Sequence, residues 1–261
     1  MAPERPFDPD SGPMRVLAAV LALAVWQLAA VAVNNRLLLV GPVEVAVRLV
    51  RLALQWDFWQ TVWFTFTRVT GGFCLGFLLA LVLAAVSARF PLVHTLLRPY
   101  LLAVKTVPVA SFIVIALLWL SGRQLSIFIA FLMVLPVLYA NALQGFRSAD
   151  PQLLEMARVF RMGSQPRFAC ICAPALRRHL LPACRVALGL CWKAGVAAEV
   201  IGVASGSMGG MLYDAKVYLE IVDLFAWTLV IVAVSVAFEK VFVKLLECFL
   251  KWLEERAWTL F

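Results

Sequence analysis

The sequence predicts an all-α membrane protein with six transmembrane helices and both termini in the cytoplasm. Of its 261 residues, 64% are hydrophobic and only 15% are charged, and the mean hydropathy is +0.93. A soluble domain of this length does not need so much apolar surface, whereas a bilayer is its natural solvent. The apolar residues fall into runs near the roughly 20 residues that cross a bilayer, and Lys and Arg gather in alternate loops.

The composition also argues against several functions. One membrane domain accounts for the length and leaves little room for a soluble catalytic domain. The net charge of +8 is typical of cytoplasmic loops in a membrane protein, so we expect no nucleic-acid partner. The six cysteines form no Cys-x-x-Cys pair, which predicts reduced packing residues and no metal site. No nucleophile pattern accompanies His94 or His179, so we expect no catalytic residues.

The first span follows a polar, Pro-rich segment, residues 1–15, that is predicted to be disordered. Residues 16–33 are long enough to cross a bilayer, which distinguishes them from the shorter apolar region of a cleaved signal peptide. We therefore expect an uncleaved anchor here. The remaining predicted spans are residues 65–88, 107–120, 125–146, 181–203 and 224–242.

Two of these spans are unusual. The third is predicted to be preceded by a half-helix from Pro99 and broken at Pro108, as helices beside transport sites often are. The sixth has only 15 residues between Asp223 and Glu239. Charged residues beyond Glu239 continue at helical spacing, so residues 243–261 are predicted to form a helix along the membrane interface.

The orientation follows from the distribution of Lys and Arg. With the N-terminus in the cytoplasm, fifteen of them lie in predicted inside segments and five in outside segments, which is a clear positive-inside bias. Both termini are therefore predicted inside. Outside lie a surface helix in residues 41–56 and a Gly-rich turn with a short helix in residues 205–223. Residues 147–179, between the fourth and fifth spans, fall in the cytoplasm.

This cytoplasmic loop is a polar island in an apolar chain. Asp150-Pro151 is a strong helix start, because Asp accepts from free backbone N–H groups and Pro suits the first turn. An apolar face then recurs at helical spacing, and Gly163-Ser164 is predicted to end the helix. On this pattern alone two interpretations are open: a helix that rests on lipid headgroups, or a helix that contacts a partner.

The loop also contains Glu155-Met156-Ala157, with Pro174 placed 19 residues after Glu155 and the apolar Ile171 shortly before it. This arrangement resembles the signature loop of ABC importer permeases, a Glu-Ala-Ala stretch followed at a set distance by Pro. The resemblance covers about residues 42–240. Two further stretches are similar to the nitrate/sulfonate/taurine-type branch of these permeases: Thr67-Arg68-Val69 with Gly72-Phe73, and Ala197-Ala198-Glu199-Val200-Ile201-Gly202.

The loop departs from the family pattern at two places. The Leu that the family has before the Pro is Ala173 here. The Gly that is expected six residues after Glu155 is Arg161, and the nearest Gly is Gly163. The displaced glycine predicts a first helix that is longer by about half a turn and leaves in a different direction.

The resemblance implies the fold of a type I ABC importer in a bacterial inner or plasma membrane. It implies a coupling helix, between the fourth and fifth spans, that docks on a separate ATPase subunit which binds ATP and Mg. It also implies a second permease copy, as a homodimer, and an extracytoplasmic substrate-binding protein. The substrate implied is a small solute such as a nitrate-, sulfonate- or taurine-like anion or a vitamin precursor. The implied docking residues are Glu155, Ala157, Arg158, Arg161, Gly163 and Pro174.

The absence of a phosphate-loop motif agrees with a permease whose ATPase is a separate subunit. The sequence contains no G-x-x-x-x-G-K-[ST] phosphate loop, which is the element that cradles nucleotide phosphates in ATPases of this kind. Any ATP chemistry therefore falls to a partner subunit. We expect this chain to hold no cofactor and to be no enzyme on its own.

Three residues are candidates for the substrate pathway: Lys193, Glu199 and Pro108. Lys193 and Glu199 are charges within the predicted fifth span, where ionised groups are expensive and usually functional. They are six residues apart, about 240° around a helix, so they do not pair with each other. Either they form hydrogen bonds between helices, or Lys193 lines the path of an anionic substrate.

Three other functions compete with this one. The transmembrane coupling subunit of an energy-coupling-factor vitamin importer also presents cytoplasmic helices to ATPases, but it lacks the spacing from Glu155 to Pro174. A secondary transporter usually shows an internal repeat, and none is obvious. A membrane-embedded enzyme that acts on lipids needs convergent His, Asp or Glu groups at one interface, and the sequence shows none.

Overall fold

The computed structural model describes residues 12–33, 35 and 38–258. Residues 1–11 of the segment predicted to be disordered lie outside these ranges. The last three residues of the predicted C-terminal helix, 259–261, also lie outside them. Within the described ranges all regular structure is helical, as predicted. The elements are α1 Gly12–Val33, α2 Pro42–Ala53, α3 Trp56–Arg89, α4 Pro91–Thr106, α5 Val109–Ala116, α6 Gly122–Arg147, α7 Pro151–Val159, α8 Ser164–Arg167, a π-helical turn Phe168–Cys172, α9 Ala173–Ile201, α10 Met208–Val217 and α11 Ile221–Trp258.

Five helical runs are long and apolar enough to cross a membrane, and the bent pair of α4 and α5 makes a sixth if it counts as one span. The membrane-protein prediction is therefore confirmed at the level of five or six apolar spans. The five runs are Val16–Val33, Trp56–Arg89, Gly122–Arg147, Ser164–Ile201 and Ile221–Glu255.

The third span, predicted over residues 107–120 with a break at Pro108, is a bent pair of helices, α4 and α5. α4 and α5 meet at an angle of 100°, and the break falls at Val107 and Pro108. Proline disfavours the helical conformation in the residue before it, and Val107 accordingly has φ −76° and ψ 133°. The half-helix predicted from Pro99 is instead a 16-residue helix that begins at Pro91.

Two other spans are longer than predicted. α3 begins at Trp56 rather than residue 65 and has 34 residues, and the fifth run begins at Ser164 rather than residue 181. The sixth span and the helix predicted to continue it are one helix, α11, from Ile221 to Trp258. Hydropathy marks only the part of a helix that suits hydrocarbon, whereas the helix itself continues into the polar interface. Exposed tryptophans at the start of α3 fit such an interface: Trp56, Trp59 and Trp63.

Three helices, α3, α6 and α9, pack together as the centre of the bundle. Their close approach depends on glycines: a Cβ at Gly72 of α3 would lie 2.4 Å from the Ile127 carbonyl oxygen of α6. A Cβ at Gly122 of α6 would lie 2.8 Å from the Gly202 carbonyl oxygen at the end of α9. Small residues at such crossings let helix backbones approach, which is how helices associate where lipid removes the hydrophobic driving force.

The two terminal helices sit differently around this centre. None of the residues of Val16–Val33 in α1 is buried, and Trp26 anchors the helix by donating from Nε1 to the Val40 carbonyl oxygen at 3.0 Å. The tail of α11 instead returns to the polar island, where Glu254 Oε2 lies 3.5 Å from Arg177 Nη1 of α9. The end of the chain therefore packs against the segment that carries α7 and α8.

Candidate functional site

The polar island folds as a short helix, α7, with a defined start. Asp150 precedes it in an extended conformation and accepts a hydrogen bond from the Gln152 backbone N–H at 2.9 Å. Pro151 occupies the first helical turn, where its missing N–H costs nothing. The helix start predicted from Asp150-Pro151 is therefore the one the structure has.

The end of α7 differs from the prediction. The helix stops at Val159, and Arg161 takes the left-handed conformation with φ +50°. The Met162 N–H donates to the Ala157 carbonyl and the Arg161 N–H to the Arg158 carbonyl, which together form a Schellman motif. Arg161 thus adopts the backbone conformation that glycine adopts most easily, and the displaced glycine does not lengthen the helix.

Gly163 precedes α8 and does not end α7, contrary to the prediction from the sequence. It lies in the extended region with φ −60° and precedes α8, so it does not end α7. From Ser164 the chain is helical as far as Ile201, through a π-helical turn at Phe168–Cys172. Proline removes one backbone donor and crowds the carbonyl one turn earlier, and the wider turn just before Pro174 relieves that crowding.

The faces of α7 separate buried from exposed residues. Ala157 is only 1% exposed and packs with Ala149 and Ile171 in a small apolar cluster. It holds α7 against its own chain and is not at the surface. Glu155, Arg158, Arg161 and Gly163 are exposed, and Pro174 is half-buried.

An apolar surface accompanies these charges. Val159 is 78% exposed, although its side chain is apolar. We call the following set the α7 face: Leu153, Glu155, Met156, Arg158, Val159 and Phe160, all of them exposed. Exposed apolar side chains next to charges of both signs are typical of a surface that contacts another protein.

A second polar constellation lies deep in the bundle, around Glu199 at the end of α9. Glu199 is 0% exposed, and its Oε2 accepts from Thr65 Oγ1 of α3 at 2.9 Å and from the Gly209 N–H of α10 at 3.1 Å. Thr65 Oγ1 in turn accepts from the Met208 N–H at 2.9 Å. Two side chains from two helices thus satisfy the free N–H groups at the start of α10.

The start of α10 has no room for a larger residue. A Cβ at Gly209 would lie 2.4 Å from the Glu199 Cβ, and Ser207 caps the helix by accepting from the Gly210 N–H at 2.9 Å. A carboxylate at a helix N-terminus is favoured by the helix dipole. Glu199 therefore ties α3, α9 and α10 together at one point.

The structure separates the three residues predicted for the pathway. Lys193 is exposed on α9, whereas Glu199 is buried among α3, α9 and α10. Pro108 is exposed at the start of α5, whose Ile113 and Ala116 pack against α9. α5 and α9 are therefore neighbours, so Pro108 and Lys193 lie on adjacent helices, whereas Glu199 is buried and bonded to the start of α10.

Arg68 lies deeper in its helix than the predicted span placed it, because α3 begins at Trp56. Its guanidinium carbon lies 3.2 Å from the centre of the Phe64 ring, and its buried Nη1 has no hydrogen-bond partner among the residues that the structure describes. Thr65, three residues earlier on α3, donates to Glu199. Arg68 therefore belongs to the same end of the α3–α6–α9 centre as Glu199.

Sequence reasoning missed an ion pair at the edge of the bundle. Arg48 of α2 donates from Nε and Nη2 to the two carboxylate oxygens of Asp223 at 2.5 and 2.6 Å. These hydrogen bonds raise the pKa of the Arg48 guanidinium above its ordinary value. The amphipathic pattern of residues 41–56 predicted the helix but gave no sign that its charge reaches the start of α11, 175 residues away.

A bundle of five or six apolar spans, with a short amphipathic helix in the polar loop between two of them, is the architecture of a multi-pass membrane protein. Comparison with known proteins makes the assignment specific. The chain belongs to the family of binding-protein-dependent transport system inner membrane components, whose model matches residues 72–258. It is a multi-pass membrane permease of the ABC transporter type, which confirms the resemblance drawn from the signature loop.

Several curated relatives match most of the chain. A putative aliphatic sulfonates transport permease protein of Bacillus subtilis is 29% identical over 241 residues, which cover 91% of this chain and 86% of that protein. A bicarbonate transport system permease protein of Synechococcus elongatus is 25% identical over 198 residues, 76% of this chain and 68% of that protein. The names of these relatives match the nitrate/sulfonate branch that the sequence resembles.

One solved structure shows the same fold. It is described as a crystal structure of an amino acid ABC transporter with histidines, and it matches with a TM-score of 0.51 at 16% identity. The match covers 77% of this chain and 94% of that chain. The helical permease fold is therefore supported independently of the sequence family.

Proposed function

We propose that this chain is the transmembrane subunit of an ABC importer for a small anion, and that α7 is its coupling helix. The observation that carries the proposal is the α7 face, an exposed surface of apolar and charged side chains on a helix with a capped start and a fixed end. Family membership supports a role in transport, and the absence of a phosphate loop leaves ATP to a partner.

The proposed docking mode follows from the two sides of α7. Ala157, on the inner side, packs against Ile171, so a push on α7 is passed directly to the helical run that becomes the fifth span. On the outer side, Val159 and Phe160 would fill an apolar groove of an ATPase subunit, while Glu155, Arg158 and Arg161 would provide charge complementarity at its rim. Gly163 and Pro174 would set the path of the chain after α7.

The assembly we propose has two copies of this chain, two ATPase subunits that bind ATP and Mg, and an extracytoplasmic substrate-binding protein. Each copy would cross the membrane six times, with α4 and α5 together as the third crossing and both termini in the cytoplasm. Residues 16–242 would form the permease domain with its coupling loop at 147–179. Residues 243–261 would extend the last span along the interface and support that loop.

The proposed substrate is a small oxoanion. Relatives named for sulfonates and for bicarbonate support this class. Lys193 supports it physically, because an exposed cation on a membrane-spanning helix is favourable only beside water, lipid headgroups or an anion. We assign Lys193 and Pro108 to the pathway, and we assign Glu199 to holding α10 beside it. In Lys193→Met we expect a KM for uptake at least tenfold higher; an unchanged KM removes this residue from the pathway.

The docking proposal is tested with the charge-reversed variant Glu155→Arg in cells that also express the ATPase subunit. We expect at least a tenfold loss of co-purified ATPase, together with loss of uptake. The matched control is Asp214→Arg, a reversal of an exposed carboxylate on α10, which should leave ATPase association unchanged. If both variants keep ATPase and uptake, the docking proposal is wrong.

A further inference from the structure

One long stretch of the chain carries cations and no acid. Between Asp57 and Asp150 there is no Asp or Glu, yet the stretch contains Arg68, Arg89, Arg98, Lys105, Arg123 and Arg147. Neither Arg98 nor Lys105, both exposed on α4, has an ion-pair partner among the described residues. An acidic group that neutralises these two cations must therefore come from elsewhere in the chain or from another molecule.

A cavity of about 160 Å³ opens beside these two cations. We call it the α4–α6 cleft, and its lining includes His94, Arg98, Leu101, Lys105, Pro136 and Ala140. Its walls are almost wholly apolar. A volume of this order holds a benzene-sized apolar group, so a segment of hydrocarbon chain fits within it.

One end of the cleft is held by a chain of hydrogen bonds. Tyr139 of α6 donates to Ser87 Oγ of α3 at 2.9 Å, and its oxygen lies 3.0 Å from His94 Nδ1. Because the Tyr139 proton goes to Ser87, His94 donates from Nδ1 to the Tyr139 oxygen. These contacts fix α4 across α6 and leave Arg98 and Lys105 at the mouth of the cleft.

The outer side of α4 indicates its surroundings. Leu92, Leu96 and Tyr100 recur every four residues and are exposed, at 70%, 60% and 73%. α4 begins at Pro91, directly after α3 ends at Arg89, and Tyr139 lies about 12 Å along α6 from the end of that helix, so we place the start of α4 toward the membrane interface at this end of the bundle. α4 thus combines an apolar outer row with two cations beside an apolar cleft. Such a combination near a membrane interface is typical of a site for an amphipathic anion.

We propose that the α4–α6 cleft binds one anionic phospholipid, with part of an acyl chain in the cleft and the phosphate on Arg98 and Lys105. The apolar walls distinguish a lipid from a free phosphate, which would gain nothing from them. The charge of the site distinguishes phosphatidylglycerol from phosphatidylcholine, whose headgroup carries its own cation. The α4–α6 cleft shares no residue with the α7 face, although both lie toward the end of the bundle at which α6 ends.

Native mass spectrometry of the full chain in mild detergent tests this, with phosphatidylglycerol and phosphatidylcholine as probes. A cation near a membrane surface contributes about fivefold to anionic-lipid affinity. We therefore expect Arg98→Gln with Lys105→Gln to weaken phosphatidylglycerol binding roughly 25-fold. Ala140→Trp, which fills the cleft and leaves both cations in place, should weaken it at least fivefold. The control pair Arg51→Gln with Lys216→Gln, at the other end of the bundle, should bind as the unmodified chain does.

Three results would overturn the proposal. The first is equal retention of phosphatidylglycerol by all four proteins. The second is displacement of the lipid by inorganic phosphate in 100-fold excess, on the order of what a simple anion site allows, because that result assigns the cations to a soluble anion. The third is a change of oligomeric state in Ala140→Trp, because that result makes this face a contact between copies of the chain. Loss of ATPase docking in Glu155→Arg is a separate readout, so either proposal can fail without the other.

Discussion

Glu199 shows how a single residue can decide the position of an element. It is fully buried, and its Oε2 receives hydrogen bonds from α3 and α10, while its Oε1 has no hydrogen-bond partner within the described part of the chain. The sequence placed this carboxylate in a span and left two roles open. Its partners could not be predicted, because Thr65 is 134 residues away and only the crossing of α3 and α9 brings the two together.

For Glu199→Ala we expect a loss of roughly 2–4 kcal/mol of stability, because the Thr65 hydroxyl and the Gly209 N–H lose a buried acceptor. Glu199→Gln keeps an acceptor at the same place and should lose less than half as much. Thermal unfolding of the purified proteins measures the difference. An alanine variant as stable as the parent would show that the network does not hold α10.

Arg161 occupies the left-handed position at the end of α7, where the usual preference for glycine predicted Gly163. Glycine marks helix ends because it enters the left-handed region without cost, so Gly163 was predicted to end α7. The structure instead places Arg161 there, and Val203 and Leu219 have the same conformation at φ +45° and +58°. Both lie in matching Schellman hydrogen-bond patterns at the ends of α9 and α10. The helix ends are fixed by packing, which the local sequence does not show.

Replacing Arg161 by glycine should relieve about 1 kcal/mol of backbone strain. The amides of α7 should then exchange with deuterium more slowly, by roughly fivefold. Arg158→Gly is the control, since the same change inside the helix should speed exchange. Faster exchange in Arg161→Gly would mean that the arginine side chain itself secures the helix end.

At the scale of elements, the close approach of α3 to α6 depends on a glycine on the face of α3 that contacts α6. Gly71 and Gly72 are neighbours in sequence, yet a Cβ at Gly71 meets nothing within 4 Å, whereas one at Gly72 would collide with the α6 backbone. The sequence identified Gly72 only through a family motif. The helix crossing supplies the physical reason for that motif.

Gly72→Ala should force α3 and α6 apart and lower stability by about 1–3 kcal/mol, in the range of other overpacked cores. Gly71→Ala is the matched control, because it adds the same methyl group one position away, on a side of α3 where a Cβ meets no described atom within 4 Å. It should be neutral or stabilising by up to about 1 kcal/mol, since alanine favours helix. Unfolding temperatures that fall equally in both variants would contradict the crossing seen here.

The same scale explains which helices could be predicted. α6 was placed within three residues at either end, because the apolar run and the helix coincide there. The start of α9 was placed at residue 181 instead of Ala173, because its polar start looks like a loop to a hydropathy window, whereas the continuation of α11 beyond Glu239 was predicted from the helical spacing of its charges. The break between α4 and α5 was anticipated from Pro108, but the 100° angle depends on how α5 packs along α6.

At the scale of the whole molecule, the proposed orientation rests on the positive-inside bias and has a direct consequence. A green fluorescent protein fused after Phe261 should fluoresce, since it folds in the cytoplasm. Alkaline phosphatase inserted between Tyr218 and Leu219, in the turn between α10 and α11, should be active, since it requires the outside. Reporter activity on intact cells checks both. The opposite pair of results would invert the topology and place α7 outside, away from ATP.

The family could be recognised from sequence because its signature loop is local: Glu155, Ala157 and Pro174 lie within 20 residues of one another. Which residues of the loop pack inward and which are exposed could not be predicted from the sequence. Ala157 was predicted to dock on a partner, and the structure buries it against Ile171. Burial is a property of the folded loop, whereas spacing is all that the sequence shows. The apolar surface left for a partner is therefore centred on Val159 and Phe160.

The central claim, that α7 contacts an ATPase subunit, is tested most directly by photo-crosslinking from Val159. A benzophenone amino acid placed at Val159 should form a covalent adduct with the co-expressed ATPase subunit, seen as a single shifted band. The same probe at Leu118, which is 75% exposed at the opposite end of the bundle, should form none. An adduct from Leu118 but not from Val159, or adducts of Val159 with lipid alone, would contradict the account.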